Sequence, residues 1–278
     1  MNKKHCILTA WICMSILAVS CHKDDDSDKL PTTIETQPAV LTPVTQSIGN
    51  NIGGYYEAMP AQYGQNDAKY PLLIFLPGAG QYGTGSTADL AKVLTEGTPV
   101  WLRQQKFPPN FLVNGQNFAL IVLVPQFKTE PRYADLRAFI DYAFSKYRIH
   151  KSYFYLTGFS LGGRQTAEFG ALEPTVPAAI VTMAGAFTYN LPGTVIGIAD
   201  NKLPVWCFHN EQDQAIPSKE TKDFVAAINS FNPAIPARQT IFPTSNADLK
   251  HDCWTKATDP AYKENGMNIY EWMLSHKR

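Results

Sequence analysis

Two hydrophobic rhythms alternate along the chain. Apolar runs of strand length fall at residues 52–58, 70–76, 118–124, 153–157, 179–183, 204–208 and 237–242. Between them Tyr133, Leu136, Ile140, Ala143 and Tyr147 recur at helical spacing, as do Phe224, Ala227 and Ile228 in the stretch opened by Pro217 and Ser218; residues 163–172 also read as helix. Strands alternating with helices predict an α/β domain, with a mostly parallel central sheet and helices on both faces. About 230 residues after an N-terminal linker suit one such domain, and no repeat of fixed period interrupts it.

The first 45 residues follow neither rhythm. A basic start, Met1 to His5, leads into an apolar run from Cys6 to Ser20 that is too short to span a bilayer comfortably, so residues 1–20 read as a signal peptide. Residues 21–45 read as a linker, acidic over 24–28 and then rich in Thr and Pro, an extended stalk before a folded domain at 46–278. Loss of residues 1–20 removes Lys3 and Lys4 and no acid, moving the formal charge from 0 to −2. That balance offers nothing to nucleic acid.

Candidate chemistry centres on Gly158-Phe159-Ser160-Leu161-Gly162, placed between the strand at 153–157 and the helix that follows. In this GxSxG context the glycines permit a sharp turn that raises Ser160 above the sheet as a nucleophile. A serine hydroxyl needs a base to take its proton and a carboxylate to orient that base. Asp213, in the loop after the strand at 204–208, is the candidate acid, with Glu211 as its competitor. His251, after the strand at 237–242, is the candidate base; His209, at the carboxyl end of a strand, is the rival. Asp248 and Asp252 flank His251 too closely to be the preferred orienting acid and read as loop formers. The oxyanion donors expected are the amides of Leu161 and Ala79, the latter in Gly78-Ala79-Gly80, with Gly80 as the alternative. Gly80, Tyr82, Gln126 and Trp254 are candidates for lining the substrate site, whereas Trp101 reads as core. No CxxC or HExxH motif or histidine cluster suggests a metal, and no cofactor is implied.

The segments 53–57, 70–80, 124–126, 158–162, 204–213 and 251–254 together resemble the α/β-hydrolase superfamily. More narrowly, they resemble its compact esterase branch of feruloyl and acetyl-xylan esterases, dienelactone-hydrolase-like proteins and polyhydroxybutyrate depolymerases. The likeness runs from about Ile48 to Arg278 and implies an α/β-hydrolase fold. Pro77 departs from the pattern where many relatives carry histidine, and Asn210 where glycine is common. At the N-terminus, Leu17-Ala18-Val19-Ser20-Cys21 resembles a bacterial lipobox, with its leucine one position early. It implies lipidation of Cys21, and the acidic stretch after it resembles an export signal of outer-surface lipoproteins.

Cys207 and Cys253 are the only cysteines downstream of Cys21 and sit beside the acid loop and the histidine loop. A bridge between those loops and a pair of buried free thiols are both open on this pattern. Only about 50 residues separate the elbow from the acid loop, leaving little room for a lid, so the site is expected to be open to bulky or polymeric esters. The expected function is a lipid-anchored, surface-exposed serine esterase of the outer membrane, removing acetyl or feruloyl groups from glycans. The alternatives are a peptidase or polyester depolymerase of the same fold, or a non-catalytic glycan-binding surface protein.

Overall fold

The computed structural model describes residues 29–187, 195–243 and 250–278. The expected signal peptide, Cys21 and Asp248 lie outside those residues. In chain order the strands are β1 Val40–Val44, β2 Ile52–Met59, β3 Tyr70–Leu76, β4 Phe111–Val113 and β5 Gln116–Phe118, then β6 Ile121–Phe127, β7 Ile149–Phe159, β8 Ala179–Met183, β9 Val205–Asn210 and β10 Arg238–Phe242. Eight of them form one sheet in the order β1-β2-β6-β3-β7-β8-β9-β10, and β4 pairs with β5 as a separate hairpin. Strands β1, β2 and β6 pair antiparallel. Every pairing from β6 to β10 is parallel.

Period-two alternation of apolar residues explains why this sheet is covered on both sides. In β3, Leu72, Ile74 and Leu76 enter one core while Leu73 and Phe75 enter the other; in β9, Val205 and Cys207 are set against Trp206 and Phe208. The helices Tyr133–Lys146 and Lys219–Asn229 cover the first face, the former through Leu136, Phe139, Ile140 and Ala143 and the latter through Phe224, Val225 and Ile228. Both sets follow the three-and-four spacing of an amphipathic helix. The helices Trp254–Ala257 and Ile269–Leu274 close the opposite face. Each large apolar side chain buried this way stabilises the fold by roughly 1.5–3 kcal/mol.

Two expectations need correction. The stalk assigned to residues 21–45 ends earlier than 45, because Val40–Val44 is the edge strand of the main sheet, registered against Tyr55–Met59. An edge strand tolerates Pro43 and a largely exposed sequence, which is why Thr and Pro content misread it as linker. Upstream, Glu35 is buried and its carboxylate accepts the Gln62 amide at 3.1 and 3.2 Å, tying this segment to the domain. The apolar run at 118–124 also divides, since Phe118 ends β5 and β6 continues to Phe127.

Parallel pairing sets the carboxyl ends of β3, β7, β9 and β10 along one rim of the sheet. Ala79, Ser160, Asp213 and His251 follow those four ends in turn, where sites form in open α/β sheets.

Candidate active site

Ser160 stands between β7 and the helix Leu161–Leu172 with φ 52° and ψ −119°. A non-glycine residue held there costs of order 1–3 kcal/mol, so the surrounding backbone must enforce it. Two hydrogen bonds do so: the Ser160 amide donates to the Met183 carbonyl at 2.8 Å, and the Arg164 amide donates to the Ser160 carbonyl at 3.0 Å. The glycines on either side are required by proximity. A Cβ on Gly162 would lie 2.1 Å from the Leu76 carbonyl oxygen, and one on Gly158 would lie 2.6 Å from the Gly162 carbonyl.

The Ser160 hydroxyl meets His251 Nε2 at 3.0 Å, and His251 Nδ1 meets Asp213 Oδ2 at 2.6 Å. The short second contact is what a charged acceptor gives. The His251 side chain is 27% exposed and that of Asp213 0%, so the imidazole reaches solvent while the carboxylate is sealed from water. Burial by itself would raise the Asp213 carboxyl. Hydrogen bonds from His209, His251 and the Ile216 amide outweigh it and hold the group well below the usual carboxylate range. The other oxygen, Oδ1, accepts the Ala215 and Ile216 amides at 2.8 and 2.9 Å. A carboxylate so held keeps His251 with its proton on Nδ1, leaving Nε2 free to accept from Ser160. This arrangement can deliver an alkoxide-like oxygen to an electrophilic carbonyl carbon.

Leu161 is the first residue of its helix and Ala79 the first of a 3₁₀ turn, Ala79–Gln81. Amides at such positions have no acceptor within their own helical turn and are available to an oxyanion. Gly80, the alternative donor, is exposed in the same turn.

The competing assignments are placed elsewhere. Glu211 is half exposed and paired with Lys222 at 2.8 Å, away from His251. Asp252 accepts the Thr255 amide at 2.8 Å and its hydroxyl at 2.7 Å, ordering the start of the helix Trp254–Ala257. His209 is fully buried and bonds Asp213 rather than Ser160. Asn210 uses its side-chain amide to hold the Lys250 carbonyl at 3.1 Å, beside His251.

Two expected lining residues, Gln126 and Trp254, are placed differently from expectation. Gln126 is fully buried: its Oε1 accepts the Gly85 amide at 3.0 Å and its Nε2 donates to the carbonyls of Gln81 and Asp89. It pins the loop after β3 from beneath and offers no surface to substrate. Trp254 is 7% exposed, donates its indole N–H to Glu96 at 2.7 Å and packs edge-on against the His251 ring, 5.1 Å between centroids. It therefore supports the His251 ring. Tyr82 turns its hydroxyl inward, where it is buried with no hydrogen-bond partner among the described residues, while its ring packs on the first core. Trp101 joins the second core, as expected.

Cys207 and Cys253 are free buried thiols. They lie in the cores on opposite faces of the sheet, which excludes a bridge without rebuilding β9, and burial pushes the Cys207 thiol up to about 12. Among the described residues no group of three or more His, Cys, Asp or Glu side chains is arranged to hold a metal ion.

Position at a strand end does not by itself reveal that His209 bonds Asp213, or that Glu96 holds Trp254. A signal for the first existed in His209 and Asp213, four residues apart at the carboxyl end of one strand. None existed for Glu96, which is remote in sequence from its partner.

No family model matches the chain, and no curated protein matches it. Solved structures do match. A thermostable esterase superposes with TM-score 0.62 at 23% identity over 86% of this chain, which spans 63% of that protein's length. A feruloyl esterase module from Clostridium thermocellum, complexed with sinapinate, gives TM-score 0.55 at 16% identity over 80% of this chain and 85% of that one. A fluorophosphonate-binding serine hydrolase of Staphylococcus aureus gives 0.54 at 14% identity over 77% and 94%. With the sheet order, the mostly parallel pairing and the strained serine between β7 and its helix, these superpositions establish that the chain has the α/β-hydrolase fold.

Proposed function

We propose that the protein is a serine esterase that cleaves carboxylic esters through a covalent acyl-enzyme, with Ser160 as nucleophile, His251 as base and Asp213 as its orienting acid. The observation that carries this reading is the continuous chain of contacts from Ser160 Oγ to His251 Nε2 at 3.0 Å and from His251 Nδ1 to the sealed Asp213 at 2.6 Å. Ser160 Oγ bonds to the ester carbonyl carbon as its proton passes to His251 Nε2, and Asp213 stabilises the resulting imidazolium. The carbonyl oxygen becomes an oxyanion before the amides of Ala79 and Leu161. The C–O bond to the alcohol then breaks and His251 returns the proton to that alcohol. Water repeats the sequence on the acyl-enzyme, releases the acid and restores Ser160.

The proposed substrates are acetyl or feruloyl esters on glycans. Support comes from the sequence resemblance and from feruloyl esterases among the similar folds. The proposed address is the outer membrane, through a lipid on Cys21, and it rests on the sequence of residues 1–28 alone. Fatty-acid labelling that persists in Cys21→Ala would refute the anchor.

Acid release from aryl acetate, methyl ferulate and acetylated xylan, by soluble protein beginning at His22, tests the reaction and the substrate together. Turnover on at least one ester that falls by about 10⁴-fold or more in Ser160→Ala is expected. Turnover retained in Ser160→Ala, or absent from every ester, would refute the reading.

A further inference from the structure

We propose that His209 is a positioning residue for the Asp213 carboxylate, acting as an N–H donor behind it. The inference rests on the assignment of Ser160, His251 and Asp213 to the reaction. His209 Nε2 lies 3.1 Å from Asp213 Oδ2 and 2.8 Å from the Ile216 carbonyl oxygen. Both neighbours are acceptors, so Nε2 carries the hydrogen. Nδ1 lies 2.8 Å from the hydroxyl of Thr221, which is fully buried. The ring is thus held at both nitrogens, with Nε2 turned to the carboxylate.

Oδ2 of Asp213 is the same oxygen that receives His251 Nδ1, so one atom carries both imidazole donors. With Oδ1 held by the Ala215 and Ile216 amides, four donors fix the rotation of the carboxylate about its own axis. His209 makes no contact with Ser160 among the described hydrogen bonds, so its effect reaches the reaction through Asp213 alone. An N–H on a carboxylate also lowers its basicity. Removing that donor leaves Asp213 freer to rotate and more basic, and a more basic carboxylate stabilises the His251 imidazolium further.

The other ionisable groups around the pair are accounted for. Asp252 is bound to Thr255, Glu211 to Lys222, and Glu96 to the indole of Trp254. Cys253, fully buried, is pushed well above its ordinary value by desolvation and by the nearby Asp252 and Asp213 carboxylates, so it stays neutral.

The test measures kcat, KM and the pH dependence of kcat/KM on an aryl acetate for His209→Leu, His209→Gln and Thr221→Val, with Ser160→Ala alongside and thermal melting as a check of folding. His209→Leu is expected to lose roughly 10- to 100-fold in kcat with KM within about twofold, as a small misplacement of a reacting group does. Its acid limb should move to higher pH. His209→Gln, whose amide restores a donor toward Oδ2, is expected to recover most of kcat and return the limb toward wild type. Thr221→Val keeps the ring but frees Nδ1, and should lower kcat several-fold; it decides the matter if His209→Leu does not fold. Wild-type kcat and acid limb in the folded variants, with Ser160→Ala inactive, would overturn the inference and leave the esterase reading standing. Equal losses in the Leu and Gln variants without a shifted limb would also overturn it, by assigning His209 a packing role alone. Activity retained in Ser160→Ala would instead overturn the esterase reading.

Discussion

Ser160 holds a left-handed backbone conformation because two hydrogen bonds, to Met183 and from Arg164, leave it no relaxed alternative. That geometry raises its hydroxyl toward His251, while Asp213 behind is stripped of water and given four donors. Replacing Ala79 by proline isolates the amide proposed for the oxyanion. Gly78 already has φ −76° and ψ 177°, which suits the residue before a proline, and proline is favoured at the first position of a helical turn. Ala79→Pro should keep its melting temperature and lose about 10²- to 10³-fold in kcat; full activity would remove Ala79 from the oxyanion site. Asp213 supplies a second test. Its carboxyl is lowered in the folded state relative to an unfolded value of about 3.9, so its stabilisation is present at neutral pH and lost as pH falls through the lowered folded value. Asp213→Asn should therefore melt below wild type at neutral pH, with the gap closing as pH falls below about 4. A gap independent of pH would contradict that account. The convergence of Ser160, Asp213 and His251 was legible in the sequence because each follows a strand end on one rim of the sheet. Gln126 and Trp254 were misread because sequence distance from a strand end does not say whether a side chain faces solvent or turns beneath a loop.

At the scale of elements, the elbow depends on contact between three backbones: the end of β3, the end of β7 and the first turn of the helix Leu161–Leu172. Gly162 is where they converge, and the nearest neighbour of an added Cβ is the main-chain oxygen of Leu76 rather than a side chain that could move. Gly162→Ala should destabilise the protein by about 2–4 kcal/mol and lower activity by displacing Ser160. Urea denaturation with an unchanged midpoint would show that the backbone relaxes freely there. The strands β3 and β8 were read from the sequence at their true limits, since each is a largely apolar run buried along its whole length. Strand β1 was not, because an edge strand needs little apolar content and its partner β2 supplies the hydrogen bonds. The short hairpin of β4 and β5 was missed for a related reason: three residues are too few for an alternation to register.

At the scale of the whole molecule, two cores on opposite faces of one sheet hold four loop-bearing strand ends in a fixed row. Each loop then contributes one group: an amide after β3, a hydroxyl after β7, a carboxylate after β9 and an imidazole after β10. The fold class followed from strand and helix alternation alone. The support from within did not, because pairs such as Trp254 with Glu96 and Gln126 with Gly85 join residues far apart in sequence. The central claim is that this row activates one serine among all those in the chain. Its most direct measurement is reaction of the intact protein with an organofluorophosphonate, followed by mass analysis of the whole chain and of its peptides. The account predicts a single adduct on the peptide containing Ser160, absent in Ser160→Ala and slowed by orders of magnitude in His251→Ala. No adduct, or one that forms equally well in Ser160→Ala, would contradict it.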